Sequence, residues 1–259
     1  RDRNKEIGYV REKGVYVRMK RTEAIKRDIR VVGTRWIDHN KGDEDNEDIR
    51  SRLVAKDFNQ SKMEGLFAAT PPLEGLKILL SEAATMEDWQ EIEGEKQVIV
   101  MINDVARAFF EADMINDLCV EIPEEDRTQE DEDGDNVGYL VKSLYGTRDA
   151  AANFQREVRK FMEQSGFTTG KYNVSTYYHP GRNIKTLVHG DDFVSVGKRT
   201  DLNWMETKLK ARFEIKSKKI GLGEDEVKEA RVLNRVVRVT PEGWEYEADQ
   251  RHAELIVKT

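Results

Sequence analysis

The stretch that most constrains this chain is Leu187-Val188-His189-Gly190-Asp191-Asp192-Phe193-Val194-Ser195-Val196, where two apolar runs meet at a Gly-Asp turn carrying adjacent carboxylates. Apolar runs on either side of such a turn predict a β-hairpin. Carboxylates placed side by side raise each other's pKa, so the turn calls for a compensating charge, and a divalent cation is the usual one. A second segment, Val98-Ile99-Val100-Met101-Ile102-Asn103-Asp104-Val105, is an apolar strand ending in Asp104 that runs on into Ala106-Arg107-Ala108-Phe109-Phe110. One carboxylate from a strand end and a pair from a hairpin make a donor set for two Mg²⁺, with Mn²⁺ as a substitute. The competing reading is a solvated Asp-Asp turn.

With 259 residues, the chain has room for one large domain or two to three subdomains around a connected core. No apolar run is long enough to span a bilayer and no signal-peptide core is visible, so no membrane partner is expected. The single cysteine, Cys119, excludes an internal disulfide and a Cys-built zinc site, and reads as a small buried hydrophobe. It fits a reducing, intracellular compartment without choosing between a cytoplasmic particle and the nucleus. His39, His179 and His252 lack the neighbours of a zinc site. The chain opens on Arg1, which reads as a fragment or a processed piece.

Net charge is −7, but it is unevenly placed. Residues 41–50 carry −3 and residues 121–136 carry −8, so the remainder holds +4, and residues 1–40 have twelve Lys/Arg against six Asp/Glu. Treating both acidic blocks as solvated loops leaves a basic groove for a phosphate backbone.

Alternation of apolar and basic residues predicts short twisted strands over residues 9–37. Two strands, at Trp36–Asp38 and Ser51–Ala55, are expected to flank the acidic loop 41–48. Pro71-Pro72 should open a helix through Leu73, Leu76, Leu79, Leu80 and Ala83. A strand at 97–103, a short helix near 105–113 and a strand at 118–122 follow, then an acidic loop at 123–136 and a strand from Val137. A helix from Ala150 is expected to stop at Gly166. Beyond the Asp191-Asp192 hairpin come a helix at 201–212, a hairpin turning at Pro241-Glu242-Gly243 and a helix near Asp249. The expected class is α+β, an antiparallel sheet with helices on one face.

Five segments in order resemble the reverse transcriptase of copia-type LTR retrotransposons. Arg50-Ser51-Arg52-Leu53-Val54-Ala55-Lys56-Asp57-Phe58-Asn59-Gln60 is similar to that family's K-A-R-L-V-A-R-G-F-x-Q fingers motif. Leu66–Pro72 resembles the T-F-A-P-V segment, and Asp104-Val105-Ala106-Arg107-Ala108-Phe109 resembles D-V-K-T-A-F. Ser143-Leu144-Tyr145-Gly146-Thr147-Arg148-Asp149-Ala150 resembles S-L-Y-G-L-K-Q-A, with Phe154 in place of a tryptophan, and Val188–Asp192 stands where the family writes Y-V-D-D.

The resemblance implies a right-hand polymerase, with fingers over 1–88, palm over 89–216 and a partial thumb over 217–259. It implies an RNA-directed DNA polymerase using two-metal nucleotidyl transfer, with dNTPs and a primed RNA or DNA template as partners, beside RNase H and integrase segments of one polyprotein. Asp104 and Asp191 would bridge the metals with Asp192 in support. Phe109 would press on the sugar and disfavour a 2′-hydroxyl, against a core-packing alternative. Arg52, with Arg50 or Lys56, would reach the triphosphate, against a surface salt-bridge alternative. The hairpin 231–247 would hold the primer terminus, with Trp244 packing rather than stacking on a base.

Three departures stand out. Asp149 replaces a glutamine that contacts the nucleotide, where only Arg148 or a metal would offset its charge. Ala151-Ala152 replaces Pro-Arg. His189 replaces a tyrosine and is expected to pack beneath the turn, with an added metal ligand as the alternative. These keep open a catalytically inactive relic that still binds nucleic acid. A diguanylate-cyclase reading of His189–Phe193 is weaker, because it leaves the other motifs unexplained.

Overall fold

The structure is a computed structural model describing residues 2–40, 42, 46, 48–58, 64–86, 91–92, 95–96, 98–247 and 250–257. Most of the acidic segment 41–48, the motif end Asn59-Gln60, the strand start at residue 97 and Asp249 lie outside the described residues. The chain forms two compact units that interleave in sequence: unit 1 is Arg1–Ala68 with Arg107–Val158, and unit 2 is Ala69–Ala106 with Arg159–Thr259.

Unit 1 begins with α1 (Asp2–Glu12), β1 (Tyr16–Lys20), α2 (Arg21–Lys26), β2 (Val31–Val32), β3 (Thr34–Asn40) and β4 (Ile49–Ala55). Unit 2 takes up α3 (Leu73–Thr85), β5 (Glu91–Ile92), β6 (Glu95–Lys96) and β7 (Val98–Val105). The chain returns to unit 1 with a 3₁₀ turn (Ala108–Glu111), β8 (Cys119–Val120), α4 (Gln129–Asp133) and β9 (Asn136–Leu140). Helix α5 (Ala150–Gln164) leads back to unit 2 and to β10 (Thr168–Thr169), β11 (Thr176–His179), β12 (Ile184–His189) and β13 (Asp192–Lys198). Helix α6 (Arg199–Arg212), β14 (Ile215–Ile220), β15 (Glu229–Val232), β16 (Arg235–Thr240), β17 (Gly243–Glu247) and α7 (Gln250–Val257) complete it.

In unit 1 the strand order is β1-β9-β8-β2, with β2 and β8 parallel, while β3 and β4 form a separate antiparallel hairpin. Its main core joins Ile7 and Val10 of α1 to Leu53, Phe110, Val120, Leu140 and Leu144. Tyr9-Val10-Arg11, expected as a strand, is thus helical: α1 buries Glu6, Ile7 and Val10, a helical spacing hidden among charged neighbours.

The acidic block 121–136 is not a solvated loop either. Thr128 caps α4 through a reciprocal capping box with Asp131. Asp126 and Asp131 are 1% and 3% exposed. Asp126 accepts hydrogen bonds from Tyr16, Arg11 and Arg18, and Asp131 accepts two from Arg18. Arg21 reaches Glu121 and Asp135, and Arg3 reaches Glu125. Arg3, Arg11, Arg18 and Arg21 therefore pair with Glu121, Glu125, Asp126, Asp131 and Asp135, so part of the positive surplus inferred by subtracting this block is taken up within unit 1.

Unit 2 is built on a six-stranded antiparallel sheet ordered β10-β11-β12-β13-β7-β14. Even-numbered positions Val98, Val100, Val194 and Val196, with Leu187, form a core with Leu76, Leu79, Leu80 and Ala83 of α3 and with Ala230, Val232, Val237 and Val239 of the β15–β17 sheet. The opposite face is covered too. Thr186 bonds Ser195 and touches Met205 of α6, and Phe213 packs against Phe193 and Phe161. Helices on one face, as expected from sequence, is therefore corrected to cover on both. The unbroken run Val98-Ile99-Val100-Met101, all at most 1% exposed, needs that cover. Cys119 is buried and free, and burial followed by nearby Asp117 pushes its thiol up to about 11. Among the described residues no helix is long and apolar enough to cross a membrane.

Candidate active site

The Asp191-Asp192 hairpin forms as the sequence requires. His189 pairs with Asp192 across a two-residue loop, and Gly190 takes a φ of +64° with no atom within 4 Å of where a Cβ would stand. Glycine is there for its backbone freedom, not for space. Asp192 opens β13 directly opposite Asp104 near the end of β7, and Val105 N–H donates to Asp191 O at 3.0 Å. Directly opposed residues on antiparallel strands hold their Cβ atoms roughly 4.5–5.5 Å apart, where like charges repel. Burial, then Asp191, then Asp104 push the Asp192 carboxyl up to about 6, with His189 acting in the opposite sense. The geometry thus brings Asp104, Asp191 and Asp192 together at one end of the central sheet.

Among the described residues no ion pair or side-chain hydrogen bond reaches these three carboxylates, and no group of three or more His, Cys, Asp or Glu closes into a metal cage. The donor chemistry fits hard divalent cations, since oxygen ligands of one charge sign stand together and none of them is held in an ion pair among the described residues. His189 is exposed rather than packed beneath the turn; as the residue pairing with Asp192 at the hairpin tip, it points away from the core. Lys216, on β14, lies opposite Asp104 on its other side, so Asp192, Asp104 and Lys216 form one cross-sheet row. Sequence reading passed over Lys216, though the alternation Ile215-Lys216-Ser217-Lys218 is the mark of an edge strand.

The nucleotide candidates lie in unit 1. Arg50 and Arg52 project from the same face of β4, Arg50 opposite His39 and Arg52 opposite Ile37. The Arg52 guanidinium lies 5.2 Å from the Tyr145 ring centroid, and its buried Nε has no hydrogen-bond partner among the described residues. Phe109 meets the same Tyr145 edge-on at 5.0 Å. Tyr145 therefore touches both Arg52 and Phe109, whereas in the sequence it stands only as one member of the Ser143–Ala150 motif. Its place is set by Tyr145 O, which accepts from Ala55 N–H at 2.7 Å, and by Gly146 at φ +81°, whose Cβ would stand 2.2 Å from Ala55 O.

Arg148 is half-buried, and its backbone N–H donates to Asp57 Oδ2 at 3.1 Å. Asp149 is 2% exposed and accepts from Asn116 Nδ2 at 2.7 Å. Its carbonyl accepts from Asn153 N–H at the start of α5. The Asp149 carboxylate is turned inward rather than presented to a ligand.

Residues 21–223 match the reverse transcriptase (RNA-dependent DNA polymerase) family, and the chain belongs to that family. No curated protein matches the chain. Among solved structures it is similar to apo telomerase from Candida tropicalis truncated from its C-terminal domain, with 9% identity and a TM-score of 0.49. That alignment covers 95% of this chain and 60% of the telomerase chain.

Proposed function

We propose that this chain is the polymerase domain of a copia-type LTR retrotransposon polyprotein, adding dNTPs to a primer 3′-hydroxyl on an RNA or DNA template. One observation carries the reading: Asp104 and Asp192 oppose each other across β7 and β13, with Asp191 beside them and, among the described residues, no ion pair to any of the three. Asp104, Asp191 and Asp192 would hold Mg²⁺, or Mn²⁺ in its place. Bound there, the cations would balance charge on the attacking and departing oxygens of the transfer. The chain's own part is positioning, since phosphoryl transfer asks little covalent chemistry of the protein.

In this reading Arg52 binds the triphosphate, with Arg50 and Arg148 adding positive charge, and Phe109 presses on the sugar and disfavours ribonucleotides. The buried Nε of Arg52, unpartnered among the described residues, supports a role for that guanidinium beyond a surface salt bridge. Fingers over 1–88, palm over 89–216 and a partial thumb over 217–259, and RNase H and integrase segments as companions in an intracellular particle or nucleus, belong to the same proposal.

The inward Asp149 and the lack of a closed metal cage among the described residues favour a second reading, a relic that binds primed template without synthesis. Mg²⁺-dependent dNTP incorporation on poly(rA)/oligo(dT) decides between them. Synthesis by the natural chain and none by Asp191→Asn supports the polymerase. Duplex binding without synthesis by either supports the relic, and Asp149→Gln is then the first reversion to make.

A further inference from the structure

The segment that joins Asp104 to Phe109 passes through an unusual corner. Arg107 adopts φ +50° and ψ +46°, the left-handed region, immediately before the 3₁₀ turn Ala108–Glu111. That conformation is costly for any residue with a Cβ and persists only where the surroundings enforce it. Here α1 enforces it. Arg107 Nε donates to Glu6 Oε2 at 3.0 Å, and its guanidinium lies 3.3 Å from the Tyr9 ring centroid. The Glu6 side chain is 4% exposed, and its second oxygen, Oε1, is buried without a partner among the described residues. The far end of the turn is tied to the same helix end, because Lys13 Nζ donates to buried Glu111 at 2.6 Å. Between the two ties Phe110 sinks into the core with Ile7 and Val10, and Phe109 lies against Tyr145.

We infer that Glu6 and Arg107 are positioning residues for nucleotide-sugar selection: α1 splints the left-handed corner and so fixes where the Phe109 ring stands. A buried charge pair with one oxygen left unsatisfied is a poor stabilising device. Its evident effect is to hold one backbone conformation at the residue that starts the turn. The inference rests on the reading of Phe109 as the ring that disfavours a 2′-hydroxyl, and its test separates the two.

The test is equilibrium binding of dTTP against ribothymidine triphosphate to the full chain on chain-terminated poly(rA)/oligo(dT), which needs no chemistry. Glu6→Gln, isosteric and uncharged, Arg107→Gly, which keeps the left-handed corner but drops the tether, and Phe109→Val are compared, with circular dichroism confirming folding. We expect Glu6→Gln and Arg107→Gly each to lower the deoxy preference about tenfold, as small misplacements at a positioning site do. Neither should add to Phe109→Val, because all act through one ring. If Phe109→Val abolishes the preference while both tether variants retain it, or weaken both nucleotides equally, the splint inference is wrong and the Phe109 reading stands. If Phe109→Val leaves the preference intact, the Phe109 reading fails and the inference with it.

Discussion

Two clusters of aspartate, one in each unit, show how differently the same side chain is treated. In unit 1, burial pushes the Asp131 carboxyl up, but hydrogen bonds from the Thr128 N–H, Arg18, Asn136 and the Thr128 hydroxyl outweigh it and hold the carboxyl at about 2. Asp126, beside it, accepts from Tyr16, Arg11 and Arg18. Burial and the Asp126 contact in turn push the Tyr16 phenol well above its ordinary range. In unit 2, Asp192 is pushed the other way, to about 6, by burial and by Asp191 and Asp104. One cluster is satisfied by the fold and contributes to its stability. The other is left in deficit, the arrangement expected where ligand binding rather than folding supplies the missing charge.

The largest effect should come from the cluster in deficit. Asp191→Asn is expected to reduce Mg²⁺-dependent dNTP incorporation on the order of a thousandfold while thermal unfolding changes little. Retained synthesis would remove the contrast between the clusters. Next comes the satisfied cluster. Asp126→Ala leaves Arg11, Arg18 and the Tyr16 hydroxyl without their shared acceptor, and should cost about 3–5 kcal/mol in urea unfolding.

Asp192→Asn should act with the opposite sign. The folded carboxyl titrates near 6 against an ordinary 3.8. Its favourable contribution is therefore complete below the unfolded value and is lost as pH rises through about 6. Removing the charge should stabilise the metal-free protein by about 1–3 kcal/mol at pH 7.5 and by nothing at pH 4. Urea unfolding at the two pH values checks it, and equal stability of the two proteins at pH 7.5 would show that the carboxylates are too well solvated to repel.

The smallest effect belongs to Asp131. Its folded pKa is depressed, so its stabilisation is present above about pH 4 and disappears as pH falls through about 2. Acid unfolding of the Asp131→Asn variant should show a shallower dependence over that window than the natural chain. An identical slope would show that Asp131 does not carry the acid sensitivity of unit 1.

Much of this was legible before the structure. The hairpin at 187–196, the β3–β4 pair, α3, α5 and α6 follow from periodicity and turn chemistry, which are local properties of the chain. The helix over Tyr9-Val10-Arg11 was not legible, because charged neighbours mask a buried face of three residues. Neither was the role of Tyr145, which depends on β4 and the segment after β9 meeting at Ala55. The two-sided cover of β7 was readable in principle from the unbroken run Val98–Met101.

By itself the sequence determined which residues carry charge, where the chain turns, and that Asp104 falls near the end of an apolar strand and Asp191-Asp192 at the tip of an apolar hairpin. These depend on residue type and on contacts between near neighbours. Only the tertiary structure decided which acids are satisfied and which are not. Asp126 and Asp131 differ from Asp104 and Asp192 not in local sequence but in what the fold brings against them, arginines from α1 and β1 in one unit and another carboxylate across a strand pair in the other. Long-range register sets a carboxylate's partners, and the partners set its charge.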